Sequence, residues 1–586
     1  MPPPTMNALP SEILHSIFYY LPPQSLASLQ STSKRLKALV EEPLLWRYNC
    51  RVHYKYWAAD HAIEQKLAGP VAEVDWHGLF KQRWCRDREI AGEIDGIVAV
   101  QQKRIVKMAN ICESGYDAKD ELLRQASVGE EVEDHLARSW WSEAALGLIQ
   151  RRMALEVWQK LSRGEDVPLE HALGAFDMFT VGSRNGDLWD ISATLDDMVA
   201  QFREKTPEFE EFSTRQKALA LVQFLRDSGF EGVQNEARDY HAMQNNFIGF
   251  ALRDSRHQTL PIILTSIYIC LARRIGVDAR ASNVPLHIYG VVFAPSGKTL
   301  DHKPTEPDAP TEYMFIDPFR HANEVSVSDV QHHLAAIGIS PSSYAEFTTV
   351  ASTRDLVIRT TRNIMTSAQT MRERELIIRV DDDEGAAWAN GIPQVDEAYY
   401  AALWAMLIVQ TSPPARRARI MPWLLEKIQP QYPWDVVLLE DVVLPMFLQG
   451  AHNMENGGAF IFAGHGRGVR QVKGGTEKVR FRVGSVFKHR RYGYEGVIVG
   501  WDTKCEKDEG WIAQMGVRRL SGGSDQSFYN VLAADKSSRY VAEENIDIMT
   551  SRPSKALMML AGRYFKRWDS LTGKFVSNIR DEYPDD

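Results

Sequence analysis

The sequence predicts a multidomain α+β protein. Its expected parts are a small N-terminal bundle of three helices, a largely helical middle enclosing an α+β core, and a small C-terminal antiparallel β-barrel. Three observations carry this expectation. At 586 residues the chain is far longer than one hydrophobic core can serve. Apolar residues recur at helical spacing through most of the first 230 positions, then give way to β-branched and aromatic runs between 257 and 330. Finally, "GAHNMENGGAFIFAGHGRGVRQVKGG" holds eight glycines and separates off a last segment of alternating Val, Phe and Ile.

Composition narrows the function classes. With 44% hydrophobic and 25% charged residues the chain sits in the ordinary globular range. A net charge of −9 argues against coating nucleic acid or anionic membrane along the whole length, and leaves a local basic patch open. Cys50, Cys85, Cys112, Cys270 and Cys505 lie far apart with no CxxC pair, so neither a disulfide framework nor a structural metal site is expected. No cofactor motif is read. The opening "MPPPTMNALP" lacks the basic start and apolar run of a secretory signal. The most apolar stretch, "LPIILTSIYICLA", is too short to span a bilayer. The expected location is cytoplasm, nucleus or both, without membrane association.

Residues 5–50 are expected to hold three helices. Ile13, Leu14, Ile17 and Leu21 fall at helical spacing until Pro22-Pro23 stops the first. Ser25 is positioned to cap a second, whose apolar face carries Leu26, Leu29, Leu36, Leu39 and Val40. Pro43 opens a third, bearing Leu44, Leu45 and Trp46. So little core is marginal alone and gains by docking on a partner. Leu9-Pro10, Glu12-Ile13-Leu14, Ile17, Tyr20-Leu21, Ser25-Leu26, Leu29, Ser33-Lys34, Leu36 and Leu45-Trp46 resemble the F-box in order and spacing. Thr32 stands where that family usually has Cys or Val. The resemblance implies binding to a Skp-type adaptor and, through it, a cullin–RING ubiquitin ligase. The implied adaptor-binding set is Leu9, Pro10, Ile13, Leu14, Ile17, Leu21, Leu26, Leu29, Leu36 and Trp46.

Residues 51–171 read as a helical connector in which Trp140, Trp141 and Trp158 are core side chains. The segment 172–340 changes character. A buried helix, "LPIILTSIYICLARRIGV", precedes "LHIYGVVFA" and "EYMFID", which suit adjacent antiparallel strands. The intervening "PSGKT" is a hairpin turn rather than a phosphate loop, because the required first glycine is Val292. Together with "SGFEGVQNEARDYHAMQNNFIGFAL", His287 and "FIDPF", these features resemble the SirB-type branch of the transglutaminase-like superfamily.

Active members of that superfamily attack an acyl group with a cysteine thiolate at the buried helix's N-terminus. A histidine on one strand takes its proton, and an aspartate on the next orients the ring. Here the helix start falls at Pro261 or a neighbour, and none of Thr259 to Leu264 is cysteine. Cys270 is nine residues on from Pro261. That is roughly 13 Å along the axis, too far for proton transfer, so Cys270 reads as core. His287 and Asp317 remain as a vestigial pair tying two strands together. Thr259 and Ser266 are the alternative hydroxyl nucleophiles, although Thr259 reads better as an N-cap. The expectation is a non-catalytic scaffold with no catalytic residues.

Residues 341–449 return to helical hairpins without a repeat period, 450–477 form the Gly-rich linker, and 569–586 a C-terminal tail. Between them, 478–568 should curl into the barrel. Val483-Gly484, His489-Arg490-Arg491-Tyr492-Gly493-Tyr494, Gly496 to Asp502 and Tyr540 to Asn545 resemble the YccV/HspQ family, often labelled hemimethylated-DNA-binding. Lys488, His489, Arg490, Arg491, Tyr492, Tyr494 and Trp501 are candidates for binding nucleic acid or a degron, since basic residues among aromatics hold phosphates and stack bases. Strand alternation is expected to split this cluster between two faces.

The function these modules imply is a non-catalytic substrate-recognition subunit of a Skp–cullin–F-box ligase, directing target proteins to ubiquitination and proteasomal degradation. The alternatives are a DNA-binding protein acting through the last domain, and a residual transglutaminase-like hydrolase or acyl transferase.

Overall fold

The computed structural model describes residues 9–180, 187–233, 235, 239–306, 309–347, 349–378, 395–448, 479–579 and 583. The linker 450–477 lies outside them. The chain divides into two compact units, Met1–Ile149 with Phe462–Asp586, and Gln150–Ile461.

The N-terminal bundle has four helices rather than three: α1 (Ser11–Phe18), α2 (Pro23–Gln30), α3 (Lys34–Val40) and α4 (Pro43–His53). The expected second helix is cut at Ser31–Ser33, because the Ser33 hydroxyl accepts the Leu36 N–H at 3.2 Å and starts a new helix. Ser25 is not a cap; α2 starts at Pro23, which needs no N–H donor in the first turn. Leu14, Phe18, Leu26, Leu36, Val40, Leu45 and Trp46 form the core with Trp76, Leu79 and Phe80 of α5 (Trp76–Ala99). The marginal bundle therefore finds much of its missing apolar surface inside its own chain. One turn on, the fully buried Arg83 donates to Asp117 Oδ1 at 3.0 Å and to the Tyr56 carbonyl at 2.6 Å, between the rings of Tyr54 and Trp57.

The unit continues through α6 (Arg104–Glu113), α7 (Lys119–Ala126) and the first part of α8 (His135–Ser162). Trp141 and Trp158 are buried, as core side chains should be, whereas Trp140 is half-buried.

In the second unit, α9 (Leu169–Gly174), α10 (Leu188–Lys205) and α11 (Thr214–Asp227) surround α12 (Pro261–Arg274), buried on all sides from Pro261 to Ala272. A helix apolar all round belongs inside a core. Beside it stands an antiparallel sheet of β1 (Ala279–Ser282), β2 (Gly290–Phe293), β3 (Tyr313–Ile316), β4 (Glu324–Val325) and β5 (Val350–Ala351), in the order β4-β3-β2-β1-β5. A Cβ on Gly290 would sit 2.8 Å from Ile316 Cγ1 and 3.7 Å from Tyr268, so glycine lets β2 lie close to both. His287 is not on a strand: β2 begins three residues later, and His287 occupies the bend before it. The helical hairpin α13 (Thr353–Ile378) and α14 (Val395–Val409) follows, and Arg151 of α8 reaches buried Asp435 through two 2.7 Å hydrogen bonds.

The C-terminal segment forms β6 (Val486–His489), β7 (Glu495–Asp502), β8 (Phe528–Ala533), β9 (Ser538–Ala542) and β10 (Ile546–Met549), with α15 (Glu509–Gln514) between β7 and β8. This sheet is not a closed barrel. Its order is β10-β6-β7-β8-β9, leaving β10 and β9 as edges. Instead of closing on itself, the sheet buries one face under α16 (Lys555–Ala561) and the hairpin β11 (Phe565–Asp569)–β12 (Lys574–Ser577). Strand β12 and buried Tyr583 lie in the stretch expected to be a tail. This module also packs on the N-terminal part of its unit. Leu136 joins its core, Gly562 leaves no room for a Cβ against the Leu136 backbone, and Arg104 donates to Asn578 Oδ1 at 3.4 Å.

Candidate functional site

Three places collect chemistry. The first is the outer face of the N-terminal bundle. Ile13 and Ile17 on α1, Tyr20 just after it, and Leu44, Tyr48 and Val52 at i, i+4, i+8 on α4 are exposed, Tyr20 by 90%. Tyr19 and Tyr48 meet edge to face at 4.9 Å, joining the two helices' strips. Of the residues expected to bind an adaptor, Pro10, Ile13 and Ile17 are exposed and Leu9, Leu21 and Leu29 half-buried. Leu14, Leu26, Leu36 and Trp46 are core and have no surface to offer. Leu44, Tyr48 and Val52 were missed; the clue is their spacing opposite Leu45, Trp46 and Cys50.

The second place is the His287–Asp317 pair. His287 Nε2 lies 2.7 Å from Asp317 Oδ2, and Asp317 Oδ1 accepts the backbone N–H groups of Phe319 and Arg320 at 3.2 and 3.3 Å. Both side chains are buried. The Thr265 hydroxyl of α12 donates to the Ile288 carbonyl at 3.5 Å, pinning the bend to the helix. Burial, then the Asp317 charge, pushes the Tyr289 phenol up.

The start of α12 holds Thr259, Leu260 and Pro261. Thr259 does not cap: its Oγ1 is buried without a hydrogen-bond partner, and Leu260 occupies the N-cap. Ser266 Oγ donates to the Ile262 carbonyl at 2.7 Å. Cys270 Sγ donates to Glu170 Oε2 at 3.4 Å, and burial together with that carboxylate pushes its thiol well above the usual range.

The third place is a recess of about 460 Å³ on the C-terminal sheet. His489 at the end of β6 and Tyr492 and Tyr494 from the β6–β7 turn line it with Lys507, Trp511 and Met515 from the β7–β8 connection, and with Asn530, Arg539 and Tyr540 from β8 and β9. Lys507 and Arg539 sit over the Tyr540 and Tyr494 rings, at 5.2 and 4.0 Å. His489 Nδ1 accepts the backbone N–H groups of Arg491 and Tyr492, both at 3.2 Å, which places the imidazole hydrogen on Nε2. Burial, then the Arg539 and Arg491 charges, lowers its pKa from 6.5.

Only part of the expected basic–aromatic cluster meets here. Arg490 to Tyr494 fall in the turn after β6 rather than alternating along a strand. Lys488 is exposed on β6, Arg490 donates to the Glu544 carbonyl at 3.2 Å, and Trp501 is 1% exposed in the core. Lys507, Trp511, Asn530 and Tyr540 were invisible as a set because up to 51 residues separate them from His489. Among the described residues no cluster of three or more His, Cys, Asp or Glu could hold a metal, and no helix is long and apolar enough to cross a membrane.

Comparison with known proteins matches these regions to three family models. They are an F-box-like model at 6–52, a transglutaminase-like superfamily model at 190–362 and a hemimethylated DNA-binding protein YccV-like model at 479–572. The chain is similar to F-box only protein 21 of Mus musculus, 26% identical over 362 residues, or 59% of this chain and 52% of the relative. F-box only protein 21 of Homo sapiens gives the same identity and coverage, and that of Pongo abelii is 25% identical over 363 residues, 60% of this chain and 52% of the relative. The match thus spans about half the length of these curated relatives. No solved structure matches the chain. An F-box, a transglutaminase-like and a YccV-like domain are therefore present in this order, in a chain similar to F-box only protein 21.

Proposed function

We propose that this chain is the substrate-recognition subunit of a Skp–cullin–F-box ubiquitin ligase, working in the cytoplasm or nucleus. The observation that carries this reading is the apolar strip left exposed across α1 and α4, within the F-box-like domain. Contiguous apolar surface of this kind marks a protein interface. The strip would take a Skp-type adaptor, while Leu14, Leu26, Leu36 and Trp46 act indirectly by fixing the helices that present it. The chain would contribute proximity and orientation, leaving the chemistry to the RING and conjugating-enzyme subunits.

The transglutaminase-like domain is read as a scaffold without a working nucleophile. Cys270 is buried and committed to Glu170, and Thr259 to Leu264 contain no cysteine. A second reading, nucleic-acid binding, draws on one observation. Residues 479–572 carry 16 Lys and Arg against 11 Asp and Glu in a chain whose net charge is −9.

The test is co-purification of the full chain with a Skp-type adaptor. Ile13→Asp combined with Ile17→Asp should cut adaptor binding by at least about tenfold, since interface cores tolerate buried charge poorly. The melting temperature should hold, because both side chains are exposed. Adaptor binding unchanged in the double variant would refute the assignment of this face.

A further inference from the structure

The recess on the C-terminal sheet combines unpaired donors with aromatic walls. Among the described residues, Lys507 Nζ meets only the Tyr540 ring and makes no ion pair. His489 Nε2, the hydrogen-bearing nitrogen, makes no hydrogen bond there, and neither does the Asn530 side-chain amide. The neighbouring carboxylates, by contrast, are occupied. Asp502 accepts the Tyr540 hydroxyl at 2.7 Å, Asp508 caps α15 by accepting the Trp511 N–H at 2.9 Å, Glu509 pairs with Arg518 at 2.6 Å, and Asp535 pairs with Arg539. What remains uncommitted is positive or donating.

The walls select further. Tyr540 and Trp511 meet edge to face at 5.8 Å, and Tyr492 is 66% exposed beside them, so the site offers flat apolar area next to its donors. Strand β9, which supplies Arg539 and Tyr540, is an edge of its sheet. An edge strand can accept an extended peptide by main-chain pairing, which a nucleic acid strand cannot offer. Asp508 and Glu509 also adjoin Lys507 in the chain, where a polyphosphate backbone leaving the recess would meet like charge.

We propose that the recess framed by His489, Tyr494, Lys507, Trp511, Asn530 and Tyr540 reads an acidic degron. The ligand is an extended peptide segment running along β9, with a carboxylate held by His489 Nε2, the Asn530 amide and Lys507, and a neighbouring aromatic or aliphatic side chain on Trp511 and Tyr540. The proposal rests on the receptor reading above and gives it a substrate class: proteins displaying an exposed Asp or Glu beside a bulky apolar residue.

The experiment is selection of phage-displayed random octapeptides on the immobilised full chain, in parallel with Lys507→Glu. Peptides enriched on the parent should carry Asp or Glu next to an aromatic or aliphatic residue. In anisotropy titrations the best peptide should weaken at least about tenfold on Lys507→Glu, on the isosteric Asn530→Asp, and when its own carboxylates are made amides, since charge-assisted bonds are the strong ones. Thermal melts of both variants should match the parent.

No enrichment over the Lys507→Glu selection, equal binding of the amide peptide, or an oligo(dT) strand that binds more tightly through the same residues would each overturn the proposal. The two readings fail separately. Adaptor co-purification without peptide selection removes the recess alone, whereas peptide binding without the adaptor removes the ligase assignment alone.

Discussion

His287 and His489 are nearly equally buried, 5% and 4% exposed, yet their surroundings make them opposites. His287 has its Nε2 against the Asp317 carboxylate, whose second oxygen is taken by two backbone N–H groups. The rings of Tyr289, Phe319 and His333 lie around it. His489 has no carboxylate partner among the described residues. Its Nδ1 is filled by two backbone N–H groups, its Nε2 is unpaired, and the nearest charges are Arg539 and Arg491. The first histidine has its Nε2 held by a carboxylate of its own fold; the second is left with a donor facing a recess. Burial alone does not describe a histidine's surroundings. The sign of the neighbouring charge tells these two apart: a carboxylate beside His287, guanidinium groups beside His489.

The largest expected effect tests the closed pair. Asp317→Ala orphans His287 and the Phe319 and Arg320 N–H groups together, so chemical unfolding of the full chain should show a loss of about 3 kcal/mol. Stability equal to the parent would mean that the pair does not hold the bend. His287→Ala removes one partner and should cost roughly 1–3 kcal/mol. If it instead lowered a measurable acyl-transfer activity at unchanged stability, the domain would be an enzyme after all.

His489 should respond to pH. Its folded pKa lies below the ordinary 6.5, so on acidification the unfolded chain takes the proton first. The neutral imidazole's contribution is complete above about pH 6.5 and is lost as pH falls through the lowered folded value. His489→Asn keeps an acceptor for the two backbone N–H groups without titrating. The melting temperature of this variant should decline less than the parent's between about pH 7 and pH 5. Identical slopes would show that His489 is not held neutral.

The smallest expected effect is none. A thiol-directed acyl probe should label exposed Cys85 and spare Cys270, so Cys270→Ala should leave labelling unchanged. Buried Cys50, whose thiol is pushed up to about 12, should be spared as well. Labelling that requires both Cys270 and His287 would reveal an active site.

Local signals were legible wherever one residue decides the outcome. Pro22-Pro23 and Pro43 bounded helices as expected, the absent glycine at Val292 excluded a phosphate loop, and the run Pro261 to Ala272 announced a helix buried all round. Reading failed where two local signals competed. Ser25 and Ser33 are both potential caps, and only Ser33 has a free N–H three residues ahead, because the preceding prolines had already started α2. The exposed strip was half legible: the family resemblance pointed to Ile13 and Ile17, but equally to Leu14 and Leu26, which other helices cover.

By itself the sequence determined which modules are present and in what order, because their motifs are short-range spacings of apolar, proline and glycine residues. Three things were left to the tertiary structure. It decided which face of each apolar helix is covered, since that depends on the distant Trp76–Phe80 turn. It decided that the C-terminal sheet stays open, because α16 and a hairpin whose second strand lies in the supposed tail bury the face a barrel would have enclosed. And it assembled the recess from residues 489 to 541, uniting His489 with Lys507, Asn530 and Tyr540. Strand pairing and burial are non-local: side chains that converge on one ligand need only meet in the fold, and no periodicity along the chain records that they do.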